Sequence, residues 1–255
     1  SGTGGDEMFG GYPWRYYRAA TTNNFESFID EYYKYWQRLA TNKQMEAMFA
    51  PVKNEVSGVW TRDIFRDVFL NHNNELNKPE DYINHSLYFE AKTFLHGLFV
   101  VEDKLSMAHS LETRVPFMDN DLVDFAMRCP VGLKLNNLAD VVRLNENKHG
   151  DKQSIYFQKT NDGKQLLREM MASYIPSSVT KAPKQGFSSP DASWFRGESI
   201  DFVREKLFAP DARIYDVLDR KVVSGTVNKH IDGKKNNRLL IWSLINLEEW
   251  FRANL

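Results

Sequence analysis

Apolar residues recur every three or four positions along most of the chain, which is the spacing of one face of an α-helix. The clearest stripe consists of Phe25, Phe28, Ile29, Tyr32, Tyr33, Trp36 and Leu39. A second, longer stripe predicts one helix through Ile83, Leu87, Ala91, Phe94 and Leu98. Aromatic side chains at this spacing are typical of core packing, and we expect both stripes to be buried.

Four shorter stripes predict further helices. Asp119 and Asn120 precede the third stripe and can cap its helix. The fourth stripe reaches Tyr174 and ends before Pro176, and the fifth follows Asp216. The last stripe predicts a C-terminal helix through Leu240, Leu244, Leu247 and Phe251.

Two stretches interrupt this periodicity. Residues 136–162 are rich in Asn, Lys and Asp, and they predict a long loop or an insertion, with 154–158 as a weak strand candidate. The polar run DGKKNN at 232–237 predicts a turn before the last helix. The chain is therefore predicted to be mainly α.

Composition excludes several classes of protein. A chain of 255 residues with 42% apolar side chains can form a core without a metal or disulfide. With 33 basic and 34 acidic residues, the net charge of −1 argues against nucleic-acid binding. No apolar stretch approaches the roughly 20 residues of a membrane span, so no membrane contact is expected. The single cysteine, Cys129, is expected in the core and favours a reducing, cytoplasmic location.

The first twelve residues, SGTGGDEMFGGY, carry the strongest chemical signal. Gly2, Gly4 and Gly5 permit a tight turn and a close approach of the backbone to a ligand. Asp6 and Glu7 come next, where a helix is expected to begin, and a carboxylate there can hold a Mg²⁺ ion that binds phosphate. The alternative is a tight turn with a capped helix, because the pattern is neither GxGxxG nor a Walker A motif.

A second cluster, residues 102–117, alternates charged and apolar residues. Asp103 lies just after an apolar run, and a functional and a structural role are equally compatible with that position. Glu112 and Arg114 lie just before Pro116 and predict a buried or half-buried ion pair that shapes the loop.

A third cluster, residues 181–190, contains prolines and a glycine and predicts an ordered loop. Lys184 in this loop can point into a site and stabilise negative charge on a phosphate or carboxylate. The alternative is a solvated lysine, which is the commoner fate of that residue type.

Together the clusters resemble asparagine synthetases. The first twelve residues resemble the SGxGxDExFGGY motif of that family, and the segment that begins at Asp103 resembles its D-R-x-S-M-A-x-S-x-E-x-R-x-P-F-L-D-x-x-L-V-x-F-A motif. KAPKQGFSSP, at 181–190, resembles its R-x-K-x-G-F-x-x-P loop. Shorter matches surround Lys164 and Arg168 and the C-terminal Glu248-Glu249-Trp250, so the order holds from residue 1 to about 252.

The resemblance implies a fold and a reaction. Residues 1–255 would form the mainly helical C-terminal portion of an α/β adenine nucleotide α-hydrolase-like (ATP-pyrophosphatase) synthetase domain. Such enzymes use ATP and Mg²⁺ to convert aspartate to an acyl-adenylate, which ammonia from glutamine turns into asparagine. The implied partners within a longer parent chain are an N-terminal glutaminase domain and a half that carries an SGGxDS loop. This chain alone is expected to be inactive, and a homodimer remains open.

The resemblance also assigns roles to single residues. It places ATP contacts at Ser1, Gly2, Gly4 and Glu7. It places the ligand of Mg²⁺–pyrophosphate at Asp6 and the group that stabilises the adenylate and the tetrahedral intermediate at Lys184. Asp103 matches a polar residue of the site.

Two positions depart from the family pattern. Thr3 stands where well-studied members have a glutamate for acid–base chemistry, and a hydroxyl cannot replace a carboxylate as a base near pH 7. Ala182 replaces the loop arginine, whose charge Lys181 could supply. Two alternatives therefore stay open: amidation of another carboxylate, for instance on a surface-sugar precursor, and a non-catalytic helical module.

Overall fold

A computed structural model describes residues 1–13, 15–16, 22–37, 39–72, 75–136, 163–182, 195, 197 and 199–255. These residues form α-helices and short 3₁₀ helices, and no strand occurs among them. The prediction of a mainly helical chain is confirmed. The predicted insertion 136–162, apart from its first residue, and the strand candidate 154–158 lie outside the described residues.

The described residues divide into two compact units. The first contains residues 1–35, 62–136 and 163–182, with the gaps given above. The helices of this unit are α1 (Gly5–Phe9), α2 (Phe25–Trp36), α5 (Thr61–Asp67), α6 (Pro79–Lys92), α7 (Phe94–Met107), α8 (Asn120–Arg128), α9 (Val131–Lys134), α10 (Gln165–Met171) and α11 (Ser177–Thr180). The last residue of α2 and the first residue of α5 belong to the second unit. The helices of the second unit are α3 (Asn42–Met48), α4 (Lys53–Val56), α12 (Ile200–Leu207), α13 (Arg220–Ile231) and α14 (Arg238–Asn254).

The aromatic stripe of α2 forms the centre of the first unit. Phe28, Ile29 and Tyr32 are fully buried, as the periodicity predicts. The rings of Phe28 and Tyr32 stack with their centres 5.4 Å apart, and Phe28 meets Phe69 edge to face at 5.7 Å. Aromatic contacts of this kind stabilise a core beyond the area that they bury. Leu39, the last member of the stripe, lies beyond the helix and is 44% exposed.

The second stripe forms two helices, so the prediction of one longer helix is wrong. α6 ends at Lys92 and α7 begins at Phe94, with Thr93 between them at φ −121° and ψ −69°. The Thr93 hydroxyl donates a hydrogen bond to the Phe89 carbonyl at 2.7 Å, and the Thr93 amide donates to the same carbonyl at 3.0 Å. A threonine that bonds back to the preceding turn bends a helix, which explains the break.

Three other sequence expectations have clear outcomes in the first unit. Asp119 caps α8 by accepting hydrogen bonds from the amides of Asp121 and Leu122, which confirms the predicted cap. Cys129 is buried, as expected. The fourth helix ends at Met171, earlier than predicted, and Tyr174 beyond it is 78% exposed.

The second unit packs around α14, which confirms the predicted C-terminal helix. Its core includes Val203, Val223, Val227, Ile241 and Leu244. α13 begins at Arg220, capped by Asp219, and not directly after Asp216 as predicted. The Asp219 carboxylate accepts from the Val222 amide at 2.8 Å, whereas Asp216 ends a 3₁₀ helix.

The helices of the described part of the chain fall short of what a bilayer requires. None of them is long and apolar enough to cross a membrane.

Candidate functional site

The glycine turn at residues 2–5 packs closely on Phe117 and Met118, at the end of the second sequence cluster. Gly4 has φ +100°, and a Cβ there would lie 2.7 Å from the sulfur of Met118. A Cβ on Gly5 would press on the ring of Phe117 at 3.3 Å. The left-handed backbone and the close contact both require glycine at position 4. Two of the clusters that the sequence singles out are therefore neighbours in the fold.

Asp6 contacts Lys164, which is distant in the sequence, and lies against the nearby Gly11. Its carboxylate lies 2.9 Å from the ammonium of Lys164, and both side chains are partly exposed. A Cβ on Gly11 would collide with the Asp6 carboxylate, so the glycine leaves room for it. Lys164 has φ +58°, and its amide donates to the Phe9 carbonyl at 3.1 Å. A non-glycine residue in this conformation marks a position that its surroundings have fixed.

The setting of Asp6 fits a Mg²⁺ ion that is bound mainly by phosphate oxygens. Mg²⁺ in nucleotide sites commonly takes only one or two protein carboxylates, with waters and phosphates completing its octahedron. The Asp6 side chain is 23% exposed, and the ammonium of Lys164 contacts its Oδ1, so a metal ion would share this carboxylate with the lysine. Among the described residues no group of three or more His, Cys, Asp or Glu could hold a metal alone. A Mg²⁺ ion at Asp6 would therefore need further ligands, such as the phosphates of a nucleotide.

Ser1, Thr3 and Glu102 form one hydrogen-bonded group. The Thr3 hydroxyl donates to Glu102 Oε2 at 2.8 Å, and the Ser1 hydroxyl lies 2.8 Å from that of Thr3. The Thr3 amide donates to the Ser1 hydroxyl at 3.2 Å, and the Ser1 nitrogen donates to the Arg114 carbonyl at 2.7 Å. Hydrogen bonds from the hydroxyls of Ser1 and Thr3, of which the Ser1 bond has the larger effect, hold the pKa of Glu102 below its ordinary value. The group places an ionised carboxylate at the turn.

Glu7, the second acid of the turn, is buried. Its side chain is buried at 2% exposure, and no hydrogen-bond partner of Oε1 occurs among the described residues. Burial raises the pKa of Glu7 above its ordinary value of 4.5, and the neighbouring charge of Asp6 acts in the same direction. Hydrogen bonds that the Glu7 carboxylate accepts from its own backbone amide and from Tyr12 oppose the rise.

We expect Glu7→Gln to stabilise the full-length protein relative to the wild type as the pH rises. Because the folded pKa lies above the unfolded value near 4.5, the wild type loses stability as Glu7 ionises above that pH. The neutral amide has no such dependence. Urea unfolding at several pH values measures the difference, which should be smallest below pH 4.5.

Glu55→Gln provides the matched control for this prediction, because Glu55 is exposed on α4. Its stability difference from the wild type should stay flat over the same pH range. A flat difference for Glu7→Gln as well would contradict the buried, raised-pKa description of Glu7.

A buried ion pair lies behind the turn. Arg15 and Glu90 are 3.2 Å apart, with side chains 6% and 0% exposed. The Tyr32 hydroxyl donates to the other Glu90 oxygen at 2.8 Å, and the Arg15 guanidinium lies 3.8 Å from the centre of the Tyr12 ring. A buried pair persists only when further hydrogen bonds satisfy its charges, and Tyr32 supplies one.

The remaining predicted residues are placed less centrally. Asp103 lies on α7 and is exposed, and Lys184 lies outside the described residues. Glu112 and Arg114 do form an ion pair at 2.6 Å, but their side chains are 71% and 74% exposed, so the prediction of a buried or half-buried pair is wrong. The pair precedes Pro116 at the surface, where water solvates both charges.

The sequence patterns assign no role to Glu102, Lys164, Arg15 or Glu90. Glu102 stands beside Asp103 in the second cluster, and Lys164 belongs to a short family match. Their proximity to Thr3 and Asp6 has no signature in a single sequence, because these residues are far apart along the chain. Arg168 belongs to the same short match as Lys164, and it donates to the carbonyls of Thr180 at 2.6 Å and Ala182 at 3.1 Å.

The described part of the chain is mainly helical, as the resemblance implies for the C-terminal portion of a synthetase domain. The family model described as Asparagine synthase matches residues 1–252. The chain therefore belongs to the asparagine synthase family.

Curated relatives agree with this family. The chain is 27% identical over 192 residues to "Asparagine synthetase [glutamine-hydrolyzing] 1" of Bacillus subtilis, covering 75% of the chain and 26% of the relative. It is 23% identical over 270 residues to "Asparagine synthetase [glutamine-hydrolyzing] 3" of the same species, covering 99% of the chain and 38% of the relative. The chain thus spans between about a quarter and two fifths of these relatives. No solved structure matches the chain.

Proposed function

We propose that this chain is part of a ligase that amidates a carboxylate at the expense of ATP, through an acyl-adenylate. Aspartate is the proposed acceptor, asparagine the product and glutamine the source of ammonia. The observation that carries the proposal is the turn at residues 1–11, where Asp6 meets Lys164 and Thr3 meets Glu102. The family match over residues 1–252 supports the same reaction class.

The proposed roles follow from the charges at the turn. Asp6 would hold Mg²⁺, which neutralises charge on the departing pyrophosphate. Ser1, Gly2 and Gly4 would contact ATP through the exposed turn, and Lys184 would stabilise the adenylate from the loop at 181–190. The resemblance also places an ATP contact at Glu7, but because its side chain is buried, we propose that Glu7 supports the turn from within the core.

An apolar surface on the first unit supports the proposal of further domains in the parent protein. Large apolar side chains on α7 and just beyond it are 45–65% exposed, namely Val100, Val101, Leu105, Met107 and Leu111. A cluster of this kind commonly marks a contact surface. We propose that the SGGxDS-containing half covers it and that this chain alone does not turn over ATP. A cytoplasmic location stays a prediction from the cysteine content.

A second acceptor is worth a direct test because of Thr3. The Thr3 hydroxyl and the Glu102 carboxylate, 2.8 Å apart, offer an acceptor substrate different polar groups from those of a glutamate at position 3. We therefore propose, as the second candidate, amidation of another carboxylate by the same adenylation chemistry.

Purified full-length protein, supplied with ATP, Mg²⁺ and glutamine, tests these proposals. We expect pyrophosphate and AMP to form only when an acceptor is added, and asparagine to appear by mass spectrometry with aspartate. Pyrophosphate release with another carboxylic acid and not with aspartate would favour the second candidate. Formation of ADP, or no acceptor-dependent pyrophosphate with any acid in a panel, would favour the non-catalytic helical module.

A further inference from the structure

A carboxylate from elsewhere in the chain contacts the hydroxyl of Thr3. Glu102 lies on α7, and its Oε2 accepts the hydrogen bond of Thr3 at 2.8 Å. The hydroxyl of Ser1, which lies 2.8 Å from that of Thr3, extends the chain of hydrogen bonds along the turn. The three side chains are at least partly exposed, so a small molecule at the turn can reach them.

Glu102 is ionised at the turn and can accept a proton, although its lowered pKa makes it a weaker base than an ordinary glutamate. The hydroxyls of Ser1 and Thr3 lower its pKa, so the carboxylate is ionised at neutral pH. A threonine hydroxyl is too weak an acid to form a base near pH 7. In this hydrogen-bonded group only Glu102 can take up a proton.

We propose that Glu102, positioned by its hydrogen bond with Thr3, is the proton acceptor of the amidation step. This assignment rests on the proposed function. Asp6 and Lys164 would then serve the adenylation half of the reaction, and the Glu102–Thr3 pair would serve the second half.

The proposed step balances with the reactants of the proposed function. The nitrogen of ammonia adds to the acyl carbon of the adenylate, and a C–N bond forms. The nitrogen gives one proton to the Glu102 carboxylate, while the bond from the acyl carbon to the phosphate oxygen breaks and its electron pair leaves with AMP. The carboxyl group then releases its proton to water.

A structural tie between α7 and the turn is the competing interpretation. Glu102→Gln separates the two, because the amide oxygen of glutamine still accepts the Thr3 hydrogen bond but does not take up the proton. If the hydrogen bond is only structural, this variant should have normal activity. A proton acceptor predicts a loss confined to amide formation.

The experiment uses the full-length protein and two assays. Exchange of labelled pyrophosphate into ATP measures adenylation, and amide formation with ammonium chloride measures the second step. For Glu102→Gln we expect exchange within threefold of wild type and amide formation lowered about 100-fold, the usual contribution of one acid–base group. Glu55→Gln, an exposed change of the same kind on α4, should leave both assays unchanged.

A rescue variant makes the test specific for a carboxylate at this place. Glu102→Ala should lose amide formation, and adding Thr3→Glu should recover at least tenfold of it. Full amide formation by Glu102→Gln, an equal loss in both assays, or no recovery in the double variant would overturn the assignment. Absence of exchange by the wild type with every acid would instead overturn the proposed function, and this assignment with it.

Discussion

Asp6→Asn in the full-length protein should lower acceptor-dependent pyrophosphate release by about 1000-fold. Asparagine keeps the size of the side chain and can still accept from Lys164, which lies 2.9 Å from Asp6 in the wild type. It removes the negative charge with which Asp6 would hold the proposed Mg²⁺ ion. A 1000-fold loss corresponds to about 4 kcal/mol of transition-state stabilisation, within the several kcal/mol that a bound metal supplies.

Initial rates over a Mg²⁺ titration measure this effect. The variant should need more Mg²⁺ for half-maximal rate and should stay below wild type at saturation. Asp63→Asn, an exposed change of the same kind on α5, should behave as wild type. A rate for Asp6→Asn within tenfold of wild type at saturating Mg²⁺ would refute the metal assignment.

Glu90→Leu should destabilise the protein by about 3–5 kcal/mol, the usual cost of leaving a buried charge without its partner. Glu90 is fully buried 3.2 Å from Arg15, and it accepts the Tyr32 hydroxyl at 2.8 Å. Leucine fills a similar volume, so the loss reports the ion pair and the hydrogen bond that Glu90 makes. Denaturant unfolding of the full-length protein, with amide exchange in α6 as a local probe, measures it.

The double variant Arg15→Met with Glu90→Leu tests the cause. Replacing both charges with apolar side chains should restore much of the lost stability, as it does for other buried pairs. Glu112→Leu is the matched control, because the Glu112–Arg114 pair is exposed and its loss should leave the unfolding midpoint unchanged. A loss below about 1 kcal/mol for Glu90→Leu would show that the pair contributes little.

Periodicity predicts the helices well where burial alone decides the structure. The stripe of α2 repeats every three to four residues, and its central members Phe28 and Tyr32 are buried as the pattern requires. Periodicity fails at Thr93, where a single hydroxyl bonds back to Phe89 and divides one apolar stripe between two helices. A hydrophobic pattern carries no information about such a local competition for a carbonyl.

The candidate site is predictable only in its local part. SGTGGDE indicates a turn that presents acids at the start of a helix, and α1 begins at Gly5. Asp6 and Glu7 look equivalent in the sequence, yet one meets Lys164 and the other is buried. Successive residues of a helix point about 100° apart, so only the packing around α1 decides which acid reaches solvent. Contacts with Lys164 and Glu102 depend on distant segments that one sequence does not pair.

The contacts of Lys164 also affect when the acidic turn can fold during synthesis on the ribosome. Its amide bonds to the Phe9 carbonyl and its ammonium meets Asp6, so a late segment completes the earliest part of this chain. Domains emerge from the ribosome N-terminus first, at about 5–20 residues per second. The acidic turn must therefore wait, without its lysine, until the segment around Lys164 has been synthesised. Nascent chains stalled before this lysine should consequently lack a native turn, whatever helices they have already formed.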